Sequence, residues 1–325
     1  MIARRASRSS GISRTGQRQQ SEGSHLAHQQ QTREFGNATE GLRPLWLRIL
    51  QFPLIRILLL APLLFVLMGV SNGFWGGQFA DRPPLAIGSA ALMAALAIAV
   101  YVAFVRFVER RPVNELARAP LARELGGGLL GGAGLYTLCV MILMVLGVYR
   151  VDGINPFPLI LLSIAMAISS SVFEELLHRG VIFRNVEELA GSWIALLVSA
   201  LIFGLRHLGN PEATLLGALA ITFEAGVLLA ALFLLTRRLW LSIGFHMGWN
   251  FVQSGIYSGS VSGAFKQPGL FRATLEGPEF LTGGSFGMEG SVVAFGLCTA
   301  TGLLVLHAAA KRGNMLPPMW KHSGR

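Results

Sequence analysis

Charge is what this 325-residue chain has least of. Only 14% of its residues are charged, where an average soluble domain carries roughly 25%. Acidic groups are scarcer than basic ones, 17 Asp+Glu against 27 Lys+Arg, and 52% of the chain is hydrophobic. A disordered chain, which would be poor in apolar residues, is excluded, and an ordinary soluble enzyme is disfavoured. Cysteine is nearly missing. Cys139 and Cys298 lie far apart in apolar runs, which suggests neither a disulfide framework nor a metal-binding pair; both read as small buried hydrophobes. Basic stretches interleaved with aromatics are lacking too, so the net +10 does not make nucleic acid an expected partner. Cytoplasmic flanks of membrane helices carry such a positive excess.

What remains is apolar and segmented. Residues 1–44 are rich in Arg, Gln and Ser and read as a disordered basic cytosolic tail, without the apolar core and small-residue cleavage site of a signal peptide. A helix crossing the bilayer needs about 20 mostly apolar residues. Eight stretches meet this expectation, near 53–73, 85–105, 128–149, 157–178, 192–207, 213–236, 239–257 and 290–310. With the N-terminus inside, 21 Lys/Arg fall on inner segments and 5 on the outer side, Arg82, Arg150, Arg206, Lys266 and Arg272. The positive-inside rule then places both termini in the cytosol. The expected fold is an all-α, polytopic transmembrane helical bundle in the lipid bilayer of the cell inner (cytoplasmic) membrane. Its expected parts are the tail (1–44), N-terminal transmembrane helices (45–155), a core (156–257), and an outer loop, last helix and short cytosolic tail (258–325). Glycines four apart, Gly127/Gly131 and Gly128/Gly132, predict close helix packing. The Gly- and Ser-rich outer stretch 258–289 either lies over a cavity or is a plain connection, the latter being the favoured reading.

Ionisable groups inside membrane helices are costly and mark function by default. Glu174, Glu175, His207, Glu224, His246 and Asn250 lie inside apolar stretches. Glu175 and Arg179 are i, i+4 and can pair on one helix face, which leaves Glu174 free, about 100° away. Phe203 and His207 share that spacing, as do His246 and Asn250. Glu174 precedes a turn near Gly191 by 17 residues and His207 follows it by 16, so an antiparallel hairpin brings them level. Helix rise puts Glu174 roughly 15 Å from Arg184 and His246 roughly 12 Å from Arg238. The clusters therefore converge at one depth, on the cytosolic side of mid-membrane or near it. The run His207-Leu208-Gly209-Asn210-Pro211 breaks the fifth helix early, and irregular backbone at that depth needs protein or a wet cavity beside it.

Three motifs carry a resemblance. Glu174-Glu175-Leu176-Leu177-His178-Arg179 matches EExxxR, Phe203-Gly204-Leu205-Arg206-His207 matches FxxxH, and His246-Met247-Gly248-Trp249-Asn250 matches HxxxN. In this order they resemble the CPBP family of intramembrane proteases, the family of the CAAX prenyl endopeptidase and of bacteriocin-processing and immunity proteins. The likeness covers about 155–255. It implies an eight-helix fold with a polar chamber open toward the cytosol, and hydrolysis of a peptide bond in a membrane-associated peptide or protein. By the resemblance, Glu174 is the general base on water, His207 helps hold that water, and His246 and Asn250 stabilise the oxyanion. Glu175 completes the expected catalytic set, paired with Arg179, and Phe203 supports it. Donors aimed at an oxyanion act strongly where water is excluded. Members are also classed as metallopeptidases, and Glu174, His207 and His246 are the candidate ligands of a zinc-dependent version; no HExxH helix is present. The competing expectations are a non-catalytic scaffold or immunity protein on the same fold, and a transporter, for which no internal repeat speaks. His178 reads as an ordinary polar residue, Glu224 as secondary to the site, Trp240 as an interface anchor.

Overall fold

The computed structural model describes residues 44–321. The expected disordered tail therefore lies, except for Pro44, outside the described residues. Leu45–Leu50 form a short helix, α1, within a first unit that ends at Leu50; the second unit is Gln51–Arg325.

In that second unit, prolines at the first turn start α2 (Pro53–Asn72) and α3 (Pro83–Phe104), where a missing N–H costs nothing. Next come α4 (Leu121–Val145), strand β1 (Tyr149–Ile154), α5 (Leu161–Glu175) and α6 (Arg184–Arg206). The chain continues through α7 (Leu215–Thr236), α8 (Trp240–Phe251), strand β2 (Phe271–Leu275) and α9 (Val292–Lys311). Among the described residues, six helical stretches are long and apolar enough to cross a membrane. The fourth, Phe157–Gly209, covers two of the expected spans. Gly191, at φ 81° and ψ 168°, breaks it into antiparallel halves, joined where Ser199 Oγ donates to the His178 carbonyl at 3.2 Å. The segment expected to be the seventh span is shorter: α8 is not among the six.

The all-α expectation needs one correction. β1 and β2 pair antiparallel, with Tyr149 opposite Leu275 and Ile154 opposite Phe271. Tyr149–Ile154 alternates in and out of the interior, the period of a strand, and pairing satisfies backbone groups that a loop would leave to water.

Small residues set the approach of α4 and α8. A Cβ on Gly132 would collide with the Phe245 carbonyl oxygen, and one on Gly128 with that of Leu241. In the other direction, Cβ atoms on Gly244 and Gly248 would run into the Leu125 and Leu129 carbonyl oxygens. Of the two glycine pairs in the sequence, only Gly128/Gly132 makes this backbone contact; a Cβ on Gly127 would meet nothing within 4 Å. Gly132→Ala is expected to destabilise by about 1–3 kcal/mol through overpacking. Gly127→Ala should be neutral or slightly stabilising, since Ala favours helix by up to about 1 kcal/mol. Thermal unfolding of the two variants in detergent, side by side, checks the contrast.

The two ends of the bundle differ. At one end, arginines and glutamates form an ion-paired layer. Arg56 meets Glu188 at 2.6 Å, Arg184 meets Glu109 at 2.5 Å and Arg111 meets Glu115 at 2.5 Å. Arg237 pairs with Glu187 at 2.5 Å, and Arg238 pairs with Glu124. Burial works to raise the Glu115 pKa, but the hydrogen bond and charge of Arg111, with Arg184 and Tyr101, hold it below the usual carboxylate value. Trp240 belongs to this layer rather than to an exposed belt, its indole N–H donating to the Ala117 carbonyl at 2.9 Å. The opposite end carries β1, β2 and the stretch 258–289.

Candidate active site

A cavity of about 360 Å³ occupies the interior between α2, α5, α6, α7 and α8. Its lining contains Glu174, Phe203, His207, His246 and Asn250, so the three motifs do converge. The rest of the lining corrects one expectation. Met68, Asn72 and Trp75 contribute from the far end of α2, whose beginning, at Arg56, lies in the ion-paired layer. Val261, Ser262, Phe265 and Glu289 contribute from the long connection. Stretch 258–289 is thus a wall of the cavity and not a plain linker. The cavity also extends away from the arginine-rich end. The arginine-rich end is filled by ion pairs, while residues of stretch 258–289 line the other.

The motif residues are fixed one by one. Arg179 and Glu175 pair at 2.9 Å with both side chains wholly buried. Arg179 Nη2 also donates to the Ala225 and Gly226 carbonyls at 3.1 and 3.0 Å, which ties α5 to α7. Phe203 is the hub: its ring lies 4.8 Å from Arg179 Cζ, 4.9 Å from the His178 ring, 4.8 Å from that of His207 and 6.2 Å from that of His246. This packing gives FxxxH its aromatic.

Hydrogen-bond partners settle the His207 tautomer. His207 Nδ1 lies 2.7 Å from the Phe203 carbonyl. A carbonyl only accepts, so Nδ1 carries the proton and a neutral His207 keeps Nε2 as an acceptor. His246 Nδ1 lies 3.2 Å from Glu175 Oε1 and its Nε2 lies 4.0 Å from Glu174 Oε2. Asn250 Nδ2 donates to Ser170 Oγ at 2.9 Å. His178 does not touch the Glu174 carboxylate; its Nδ1 donates to the Glu174 carbonyl at 2.9 Å. Trp249 Nε1 donates to Glu289 at 3.1 Å.

The helix-face argument expected Glu174 to be free, and it is not. Arg206 Nη2 grips its Oε1 at 2.5 Å, while Oε2 faces His246. Arg206, counted among the outer-side charges, stands at the last turn of α6, on the cavity wall. The signal was present in the sequence: the hairpin arithmetic that levels His207 with Glu174 levels its neighbour Arg206 as well. Ser170 and Glu289 were missed for want of any spacing rule.

A zinc site on Glu174, His207 and His246 does not fit this arrangement. Among the described residues, no group of three His, Cys, Asp or Glu side chains is placed to hold a metal ion. A guanidinium already sits on the Glu174 carboxylate.

No curated protein and no solved structure matches the chain. Residues 156–252, which hold all three motifs, match the family model described as Type II CAAX prenyl endopeptidase Rce1-like, and this match supports a CPBP-family intramembrane protease.

Proposed function

We propose that the protein is an intramembrane endopeptidase that hydrolyses a peptide bond in a membrane-associated peptide or protein, with Glu174 as general base and no metal step. One observation carries the reading: Glu174 Oε1 is clamped by Arg206 while Oε2 lies across from His246 in a cavity that also holds His207 and Asn250. A gap of 4.0 Å between Oε2 and His246 Nε2 admits one water in contact with both.

In this reading the water oxygen attacks the scissile carbonyl carbon as Glu174 Oε2 takes its proton. His207 Nε2, the free acceptor of its ring, holds the second hydrogen of the water. The negative charge that forms on the carbonyl oxygen falls to Asn250 Nδ2 and to His246 Nε2 when that nitrogen is protonated. The Glu175 carboxylate beside His246 Nδ1 would balance the imidazolium, and Arg179 in turn neutralises Glu175. The C–N bond then breaks, and the amine leaves with the proton that Glu174 collected. Arg206 touches no reacting atom and is a positioning residue, like the third member of a triad. The cell inner membrane, both termini in the cytosol and eight spans remain part of this proposal.

The test compares membrane proteomes of cells expressing the wild type and Glu174→Gln. New peptide N-termini present only with the wild type are expected; identical proteomes would remove the protease reading. Exhaustive chelation of the purified protein is expected to leave cleavage of a substrate so found unchanged within about 2-fold, whereas loss restored by zinc would return the metal version.

A further inference from the structure

The mechanism leaves one part of the cavity unused. Glu224, 2% exposed, stands on α7 in a π-helical turn, Thr222–Val227. Such single wide turns recur at functional sites. Its side chain lines the cavity with Ile221, Leu228 and Leu229, and its Oε1 has no hydrogen-bond partner among the described residues. Glu289 lines the same cavity from the long connection. It accepts from Trp249 Nε1 at 3.1 Å and from Ser262 N and Oγ at 2.6 and 2.9 Å. No Lys, Arg or His among the described residues forms an ion pair with either carboxyl, in contrast to Glu109, Glu115, Glu124, Glu174, Glu175, Glu187 and Glu188, which all have one.

A buried carboxyl with an unpaired oxygen is expensive in water-free surroundings. A fold that needs Glu224 only for packing would do better with Leu or Met. The cost is offset if the partner arrives with the substrate. We propose that Glu224, backed by Glu289, is the specificity determinant of the cavity and receives a Lys or Arg side chain of the substrate. This rests on the protease reading. The fit has three parts. The wall beside Glu224 is apolar, which suits the methylene stem of a long basic side chain. The Glu224 carboxyl, on the cavity wall, meets its terminal donors. Glu289, already held by three donors, adds a second carboxyl that need not move. A substrate residue without a donor would leave Glu224 buried and unpaired, and sites built this way reject such analogues strongly.

The experiment sequences the N-termini generated in total membrane protein by wild type, Glu174→Gln and Glu224→Gln. For the wild type, Lys or Arg is expected at one fixed position relative to the cut in most sites that Glu174→Gln lacks. For Glu224→Gln, that enrichment is expected to fall by about 10-fold or more. A peptide covering one such site then provides a second arm that does not rely on the variant's folding. Replacing its Lys or Arg by Met should lower kcat/KM by about 100-fold with the wild type and by less than about 3-fold with Glu224→Gln, a coupling that a merely structural role would not produce. Wild-type cleavage with no fixed basic residue, or a basic preference that survives in Glu224→Gln, overturns the assignment and leaves the protease reading standing. Identical termini from wild type and Glu174→Gln overturn both.

Discussion

Cleavage by Glu174→Gln is expected to fall by roughly 10²–10⁴-fold, the range that a general base contributes. The Gln variant separates chemistry from folding. Its amide oxygen still accepts from Arg206, which grips Oε1 at 2.5 Å, so yield and thermal stability should stay near the wild type. Glu174→Ala would be harder to read. It leaves the half-buried guanidinium of Arg206, whose Nε already lacks a partner among the described residues, without its counter-charge, so lost pairing would be mixed with lost chemistry. His207→Ala should also lower the rate, since Nε2 is the free acceptor beside the base. Full activity of Glu174→Gln on a substrate identified with the wild type would sink the mechanism, whatever the other variants did.

Arg179→Ala is expected to produce the largest loss of stability, about 3–5 kcal/mol, from leaving Glu175 charged and buried alone. Domains are commonly stable by only about 5–15 kcal/mol, so much of the protein should disappear from the membrane fraction. More than one contact is lost: Arg179 bonds Glu175, Ala225 O and Gly226 O and lies over Phe203. Arg179→Lys keeps the charge but has no planar fork to reach the α7 carbonyls and no flat face for Phe203, so it should recover only part of the loss. The checks are the amount extracted by detergent and the unfolding temperature. A wild-type level of Arg179→Ala with an unchanged unfolding temperature would show that the pair contributes nothing to holding α5 against α7.

The helical membrane class, the convergence of EExxxR, FxxxH and HxxxN, and the Glu175–Arg179 pair were legible from spacing. Periodicity of 3.6 residues and the antiparallel hairpin at Gly191 are local rules, and they place side chains that lie on one helix or on two joined by a short turn. The partner of Glu174 was misread for a physical reason. Arg206 lies inside the expected span 192–207 but was counted only as an outer-side charge, whereas its long side chain reaches Glu174 across the cavity wall. The strand pair was invisible because β1 and β2 are separated by more than 110 residues and neither is stable without the other.

The sequence by itself determined that the chain lives among lipids, which stretches are helical, and which residue types face inward, because burial of apolar surface and the cost of charge act on every residue regardless of its distant neighbours. Only the tertiary structure decided where the cavity lies. It depends on long-range facts: an ion-paired layer closing one end, stretch 258–289 folding over the other, and α4 and α8 meeting glycine to glycine. The same placement put Glu224 on the cavity wall and left its Oε1 without a partner among the described residues, a consequence of packing that no local spacing encodes.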